Sequence, residues 1–318
     1  MEIKQYLSDR KRLLEDKLDS LMLAAEGPFS SHIEAMRYSL FAGGKRIRPI
    51  LCLASAEAVT SDQTLRDEAL IIGCALECIH TYSLIHDDLP AMDDDQLRRG
   101  KPTNHMLHGE AGAILAGDGL LTFAFELLAR PAAAISTTTQ VKIIRLVAEA
   151  AGPLGMVGGQ ALDIAGENSS YPFEHLQTIH RSKTGALIRC AVQAGALAGG
   201  ARHEQMEQLT SYGEAIGLAF QIVDDLLDAT STTEVLGKSA GSDKIRGKAT
   251  YPAFFGIEKT RNLARNAVEQ ATQALAGFDA PAAPLVQLAE YIYARSHRDN
   301  YPRSLISSTS CTFSFAVF

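Results

Sequence analysis

Residues 67–100 read DEALIIGCALECIHTYSLIHDDLPAMDDDQLRRG. The stretch from Asp67 to His86 is apolar on nearly every face. It is followed by five aspartates, Asp87, Asp88, Asp93, Asp94 and Asp95, within nine positions, and then by Arg98 and Arg99. A run this apolar predicts a core helix. Pro90 disfavours helical backbone at Leu89, which places Asp87 and Asp88 at a helix C-terminus, where the macrodipole makes carboxylates unfavourable. A bound cation removes that conflict, because hard divalent ions take oxygen ligands and Mg2+ in particular is held by one or two carboxylates together with substrate phosphates. A solvated acidic loop is the other reading, but this acidic run abuts an apolar helix rather than a polar tail.

Working outward, the same helical grammar covers most of the chain. Ile3, Leu7, Leu13, Leu14, Leu18 and Leu21 recur at helical spacing. A second helix is expected from about Ser31 to Phe41, stopping at Gly43-Gly44, and a third after Pro49. Ala111–Leu128, Gly185–Leu197 and Ser211–Leu227 read as further core helices. The 318 residues are 46% hydrophobic, 21% charged and 7% aromatic, with no Trp and many strong helix formers. That composition supports a core of ordinary size, excludes disorder and predicts an all-α fold. No fixed-period repeat or long linker divides the chain, so residues 1–298 are expected to form one domain, a bundle of helices. The tail 299–318, DNYPRSLISSTSCTFSFAVF, is rich in Ser and Thr, lacks helical spacing and is expected to lie outside the fold.

Charge and sorting signals exclude several classes. A net charge of -7 and a pI near 5.7 argue against a nucleic-acid binder, so an anionic ligand has to meet a local basic cluster. The most apolar stretch, 111–130, is interrupted by Asp118 and Glu126, so no membrane span is expected. The opening MEIKQYLSDRKRLLEDK lacks the apolar core of a signal peptide, which predicts a cytoplasmic location. Five cysteines, with Cys74 and Cys78 one helical turn apart, read as reduced, buried thiols rather than a disulfide framework or a metal pair.

A second acidic cluster lies in AFQIVDDLLD, where Asp224, Asp225 and Asp228 interrupt an apolar helix. Helix geometry puts Asp224 and Asp228 on one face, with Gln221 one turn before. Unpaired, such carboxylates would each cost several kcal/mol, and no matching cations are near in sequence. Two acidic segments facing one another would hold several Mg2+ ions and, through them, a diphosphate. Basic residues are grouped too: Lys45, Arg46 and Arg48 in GGKRIRP, then Arg98 and Arg99, with Lys183, Lys238 and Lys248 farther along. Arginine suits bidentate phosphate contact and lysine a mobile point charge. Gly237-Lys238-Ser239 resembles the end of a P-loop, but Thr232 stands where glycine is needed and no strand precedes it. No HExxH or GxSxG occurs; His105 and His108 fit a polar helix start, and the Asn168 acceptor pattern has no meaning in a cytoplasmic protein.

The motifs GGKRIRP, ECIHTYSLIHDDLPAMDDDQLRRGKPT, GEAGAILAGDGLL, GGQALD, HRSKTGALIR, GLAFQIVDDLLD and LGKSAGSDKIRGKATYP follow one another over roughly residues 30–295. In order and spacing the chain resembles the trans-prenyltransferases, most of all the bacterial farnesyl diphosphate synthases. The resemblance implies long helices around a central cavity and a homodimer. It also implies that Asp87, Asp93, Asp224 and Asp228 hold Mg2+, about three ions per site once substrate is bound, with Asp88 and Asp225 in support. Arg98, Lys183, Lys238 and Lys248 would hold an allylic diphosphate, and Lys45, Arg48, His80 and Arg99 isopentenyl diphosphate. Thr184 and Gln221 would sit near the reacting carbons. The implied reaction ionises the allylic diphosphate and joins the carbocation head to tail to isopentenyl diphosphate. Tyr82, five residues before Asp87, would form a floor that stops growth near fifteen carbons. Geranylgeranyl or geranyl diphosphate synthesis is the neighbouring alternative. A terpene synthase needs no second diphosphate site, which Lys45, Arg48 and Arg99 argue against, and a noncatalytic subunit should have lost an acidic motif, whereas both are intact. The residues after Arg298 depart from the family's pattern.

Overall fold

Burial on all sides draws one of the two long apolar segments to the centre. In the computed structural model, which describes residues 2–167, 169, 171–230 and 249–295, this is α4, Gln63–Asp87, whose residues from Glu68 to Tyr82 are all buried. Its N-terminus is fixed by the side chain of Asp62, which accepts from the Thr64 N–H. Around it stand α1 (Ile3–Leu21), α2 (Ser30–Leu40), α3 (Ile47–Val59), α5 (Asn104–Ala129) and α6 (Thr137–Ala151). They are followed by α7 (Met156–Gly166), α8 (Phe173–His180), a π-helical turn Arg181–Gly185, α9 (Ala186–Ala198) and α10 (His203–Thr230). After residues outside the described set come α11 (Tyr251–Phe255), α12 (Ile257–Ala274) and α13 (Ala283–Ala294). One two-residue hairpin, β1 (Leu97–Arg98) with β2 (Lys101–Pro102), is the departure from an otherwise all-α architecture among the described residues. Lys238, Lys248 and the tail 299–318 lie outside the described residues.

The expected helices form, with shifted boundaries. α3 starts at Ile47, two residues before Pro49; proline is tolerated in a first turn because the N–H it lacks has no intrahelical partner there. In α1, Leu14 and Leu18 face the core beside Tyr6, while Leu13 is turned outward. α5 begins seven residues earlier than its apolar pattern, with an interruption at Gly109, where φ is +73°. The buried Asn104 Nδ2 donates to the Ala35 carbonyl at 2.8 Å and pins this start to α2. Contrary to the expectation that no segment is long and apolar enough to cross a membrane, α4 and α5 both qualify by length and composition. Within the fold, 83% of the apolar window of α4 is buried and 44% of that of α5.

α4 packs on α5, α3 and α9, and α10 packs on α12, α9 and α13. α3 and α9 approach so closely that a Cβ on Gly195 would lie under 3.0 Å from the Cys52 carbonyl oxygen. The contact is backbone against backbone, so no side chain can swing away to relieve it. Gly195→Ala is therefore expected to destabilise the fold by about 1–3 kcal/mol, the cost of overpacking a core, read as a lower urea midpoint. An unchanged midpoint would show that α3 and α9 slide apart freely.

Candidate active site

The last two turns of α4 and the last three turns of α10 line one cavity of about 650 Å³, together with α7 and the π-helical turn. Asp87, Asp93, Asp224, Asp225 and Asp228 all lie on its wall, as do Arg48, His80, Tyr82, Arg98, Lys183, Thr184 and Gln221. After Asp88, the C-cap of α4, the chain folds back: the Asp93 N–H donates to the Asp87 carbonyl at 2.8 Å and the Asp94 N–H to that of Leu89 at 3.1 Å. Asp94 takes a left-handed φ of +51° to do so. Burial pushes the Asp87 carboxyl up to about 6; Lys183 opposes the shift and Asp93 adds to it. Like charges held together out of water are a site that attracts a cation.

Not every aspartate is available for that work. Asp88 is buried and accepts from Arg98 Nε with both oxygens, at 2.8 and 2.9 Å, while Arg98 Nη2 lies 2.6 Å away. This pair holds the hairpin against the end of α4. The hairpin turn puts Arg99 and Gly100 at φ +55° and +75°, the two left-handed positions of a type I′ turn. An arginine rarely adopts that backbone; here it carries the guanidinium across to the Gly43–Gly44 break, where Nη1 donates to the Gly43 carbonyl. Gly44 takes a φ of +132°, which side chains rarely adopt, and a Cβ there would also stand 2.8 Å from that nitrogen. Arg99 thereby joins Arg48; burial lowers Arg48 to about 10, with Glu77 and Asp224 opposing and Arg99 adding to the shift. Arg99 is likewise lowered to about 10 by burial. His80 is held well below its usual range by burial and by Arg48 and Arg99, hence neutral. Lys45 is half-buried in the adjoining loop. Arg46 is different: its buried guanidinium pairs with Glu77 at 2.7 Å and donates to the Leu40 carbonyl at 2.7 Å, so its charge serves the scaffold.

On α10, Asp225 accepts from Gln221 Nε2 at 2.9 Å and from the Tyr251 N–H at 2.9 Å. It clamps α10 to the start of α11. Asp224 does have a basic partner, remote in sequence: Arg295, buried just past α13, places Nη2 3.2 Å from its Oδ1, with the guanidinium 5.5 Å from the Phe220 ring. No matching cation lies near Asp224 in sequence, and tertiary packing supplies one from 71 residues away.

Lys183 and Thr184 sit in the π-helical turn, a local widening common at functional sites. Lys183 Nζ is 2.7 Å from Asp163 Oδ2 of α7. Asp163, Gln160 and His180 also line the cavity and were not singled out in the sequence. The signal was there: Gln160 and Asp163, three apart in GGQALD, share a helix face, and His180 opens HRSKTG. Burial holds His180 neutral, down to about 3, and its ring stacks on Tyr251. The glycine before Gln160 matters as well, since a Cβ on Gly159 would lie under 3.0 Å from the Lys183 backbone nitrogen. Gly159→Ala is expected to push the π-helical turn out of register and lower kcat about 100-fold, the cost of misplacing reacting groups by about 1 Å, with an unchanged far-ultraviolet circular dichroism spectrum. Full activity would show that the position of this turn is not critical.

Residues 31–280 match the polyprenyl synthetase family model. The chain is 48% identical over 293 residues to a geranylgeranyl diphosphate synthase of Cyanophora paradoxa, covering 92% of this chain and 96% of that one. It is 45% identical over 298 residues to a farnesyl diphosphate synthase of Geobacillus stearothermophilus, covering 93% and 99%. Among solved structures, an FPP/GFPP synthase from Zymomonas mobilis superimposes with a TM-score of 0.82 at 39% identity, over 92% of this chain and 98% of that one. With both acidic segments and Arg48, Arg98 and Lys183 on one cavity wall, these similarities establish that the chain belongs to the polyprenyl synthetase family.

Proposed function

We propose that this prenyltransferase joins isopentenyl diphosphate head to tail to dimethylallyl or geranyl diphosphate and stops at farnesyl diphosphate. The observation that carries the reading is one cavity lined by the aspartates of both acidic segments and by Arg48, Arg98 and Lys183, with Tyr82 on its wall and Arg99 behind Arg48 at the Gly43–Gly44 break. Asp87, Asp93, Asp224 and Asp228 offer the all-oxygen donor set that suits Mg2+, whereas Asp88 and Asp225 act through Arg98 and Tyr251. Bound Mg2+ supplies charge neutralisation on the leaving diphosphate. Lys183 and Arg98, with Lys238 and Lys248, hold the allylic diphosphate; Lys45, Arg48, Arg99 and the neutral His80 hold isopentenyl diphosphate.

Ionisation of the allylic carbon–oxygen bond is the difficult step, and preorganised charge around the departing diphosphate lowers it. The Lys183 carbonyl and the oxygen dipoles of Thr184 and Gln221 face the resulting carbocation without capturing it, and the enclosing walls keep water away. The double bond of isopentenyl diphosphate attacks, and the released diphosphate takes the proton. No side-chain nucleophile takes part.

Tyr82 is 6% exposed, lines the cavity and meets the His86 ring edge-on at 5.6 Å. Five residues before Asp87 corresponds to about 7.5 Å along the helix. That depth supports a fifteen-carbon stop. Met106, Leu107, Ile114 and Leu115 on α5 are exposed apolar side chains and support pairing with a second copy through this helix. The four described cysteines are unpaired, in keeping with a cytoplasmic location.

The test is incubation with Mg2+, isopentenyl diphosphate and dimethylallyl or geranyl diphosphate, then dephosphorylation and chromatography of the alcohols. Farnesol should dominate. Geranylgeraniol would keep the chemistry and reject the Tyr82 stop, and no condensation would reject the activity. Tyr82→Ala should lengthen the product. Asp224→Asn should lower kcat by about 100-fold or more, several kcal/mol of lost charge stabilisation; a smaller loss would remove Asp224 from the metal set.

A further inference from the structure

Glycine is the poorest helix former after proline, so a glycine inside a long helix calls for a packing reason. The stretch LAGDGLL, residues 115–121 of α5, contains Gly117, which is buried and has no role in the chemistry above. Its backbone lies outside the left-handed region, so the reason is space. A Cβ at this position would come under 3.0 Å from Nε2 and Cδ2 of His86 on α4. The imidazole is seated against the α5 backbone, where Nε2 is 3.1 Å from the Ile114 carbonyl. A carbonyl only accepts, so Nε2 carries the proton. On its other side the ring meets Tyr82, with centroids 5.6 Å apart at 79°. His86 and Tyr82 both line the cavity, whereas Gly117 does not.

We propose that Gly117 is a specificity-determining residue: by lacking a Cβ it lets His86 seat in α5, and that seat sets how far His86 and Tyr82 project into the cavity and how long a prenyl chain fits. The inference rests on the elongating function argued above. A side chain at 117 meets the end of a movable ring, not backbone, so the helices hold and the ring gives way. α5 closes one side and Tyr82 another, leaving the cavity that His86 already lines. The cavity shortens, and the first condensation, to ten carbons, continues.

The experiment compares full-length wild type, Gly117→Ala, His86→Ala and the double variant with dimethylallyl and isopentenyl diphosphates, reading the ratio of fifteen- to ten-carbon alcohols. Gly117→Ala should lower that ratio about tenfold, the discrimination one added carbon gives in an apolar pocket. In the His86→Ala background the same substitution should have no further effect. An unchanged or raised ratio, or an equal shift with and without His86, overturns the proposal. A wild type that makes twenty-carbon product rejects the Tyr82 stop but leaves this comparison intact, with the ratio read between that product and the next shorter one. Side-chain 15N–1H correlation spectra give a readout independent of turnover: the Nε2–H signature of His86 should change in Gly117→Ala, and an unaltered His86 signal also overturns the seat.

Discussion

The buried ion pair between Asp88 and Arg98 is the joint on which the site depends. It occupies one of two adjacent carboxylates at the end of α4, turns that side chain away from the cavity, and fastens the β1–β2 hairpin to the helix. The hairpin in turn delivers Arg99 into the Gly43–Gly44 break beside Arg48. Removing Arg98 would strand the buried Asp88 carboxylate, a loss of up to about 3–5 kcal/mol, and would loosen the hairpin that carries Arg99. One interaction thus separates the two charge clusters and sets their relative position.

The same division recurs across the site. Asp225 is occupied by Gln221 and the Tyr251 backbone, Arg46 by Glu77, and Asp163 by Lys183. Each holds a piece of scaffold that carries a neighbouring functional group: the start of α11, the loop bearing Lys45, the π-helical turn. Their neighbours in sequence, Asp224, Arg48 and Thr184, face the cavity. Neighbouring residues therefore do different work even where both line the cavity, as Asp224 and Asp225 do, because successive positions on a helix point about 100° apart and meet different partners.

Glycines set the distances. Gly195 brings α3 onto α9, Gly159 brings α7 onto the π-helical turn, and Gly117 receives His86 from α4. All three lie within helices, where their low propensity is a cost that tertiary packing offsets. A helix-rich chain built around a cavity needs such contacts, since the cavity removes part of the core that would otherwise hold the helices together.

By itself the sequence determined the all-α class, the long buried helix, and the acidic segments at its end and in α10, because apolar periodicity and charge density are local properties that survive without knowledge of partners. It also carried the glycine breaks and the basic groups. It did not reveal that Arg46 and Asp88 are internal, that Arg295 reaches Asp224 across 71 residues, that Gln160, Asp163 and His180 face the same cavity, or that α4 and α5, though long and apolar enough for a membrane, pack against each other in a helical bundle. Those outcomes were decided by the tertiary structure alone. Whether a charge is paired depends on which residues meet through space, and a helix pattern fixes the face a side chain occupies but not the neighbour that face will find.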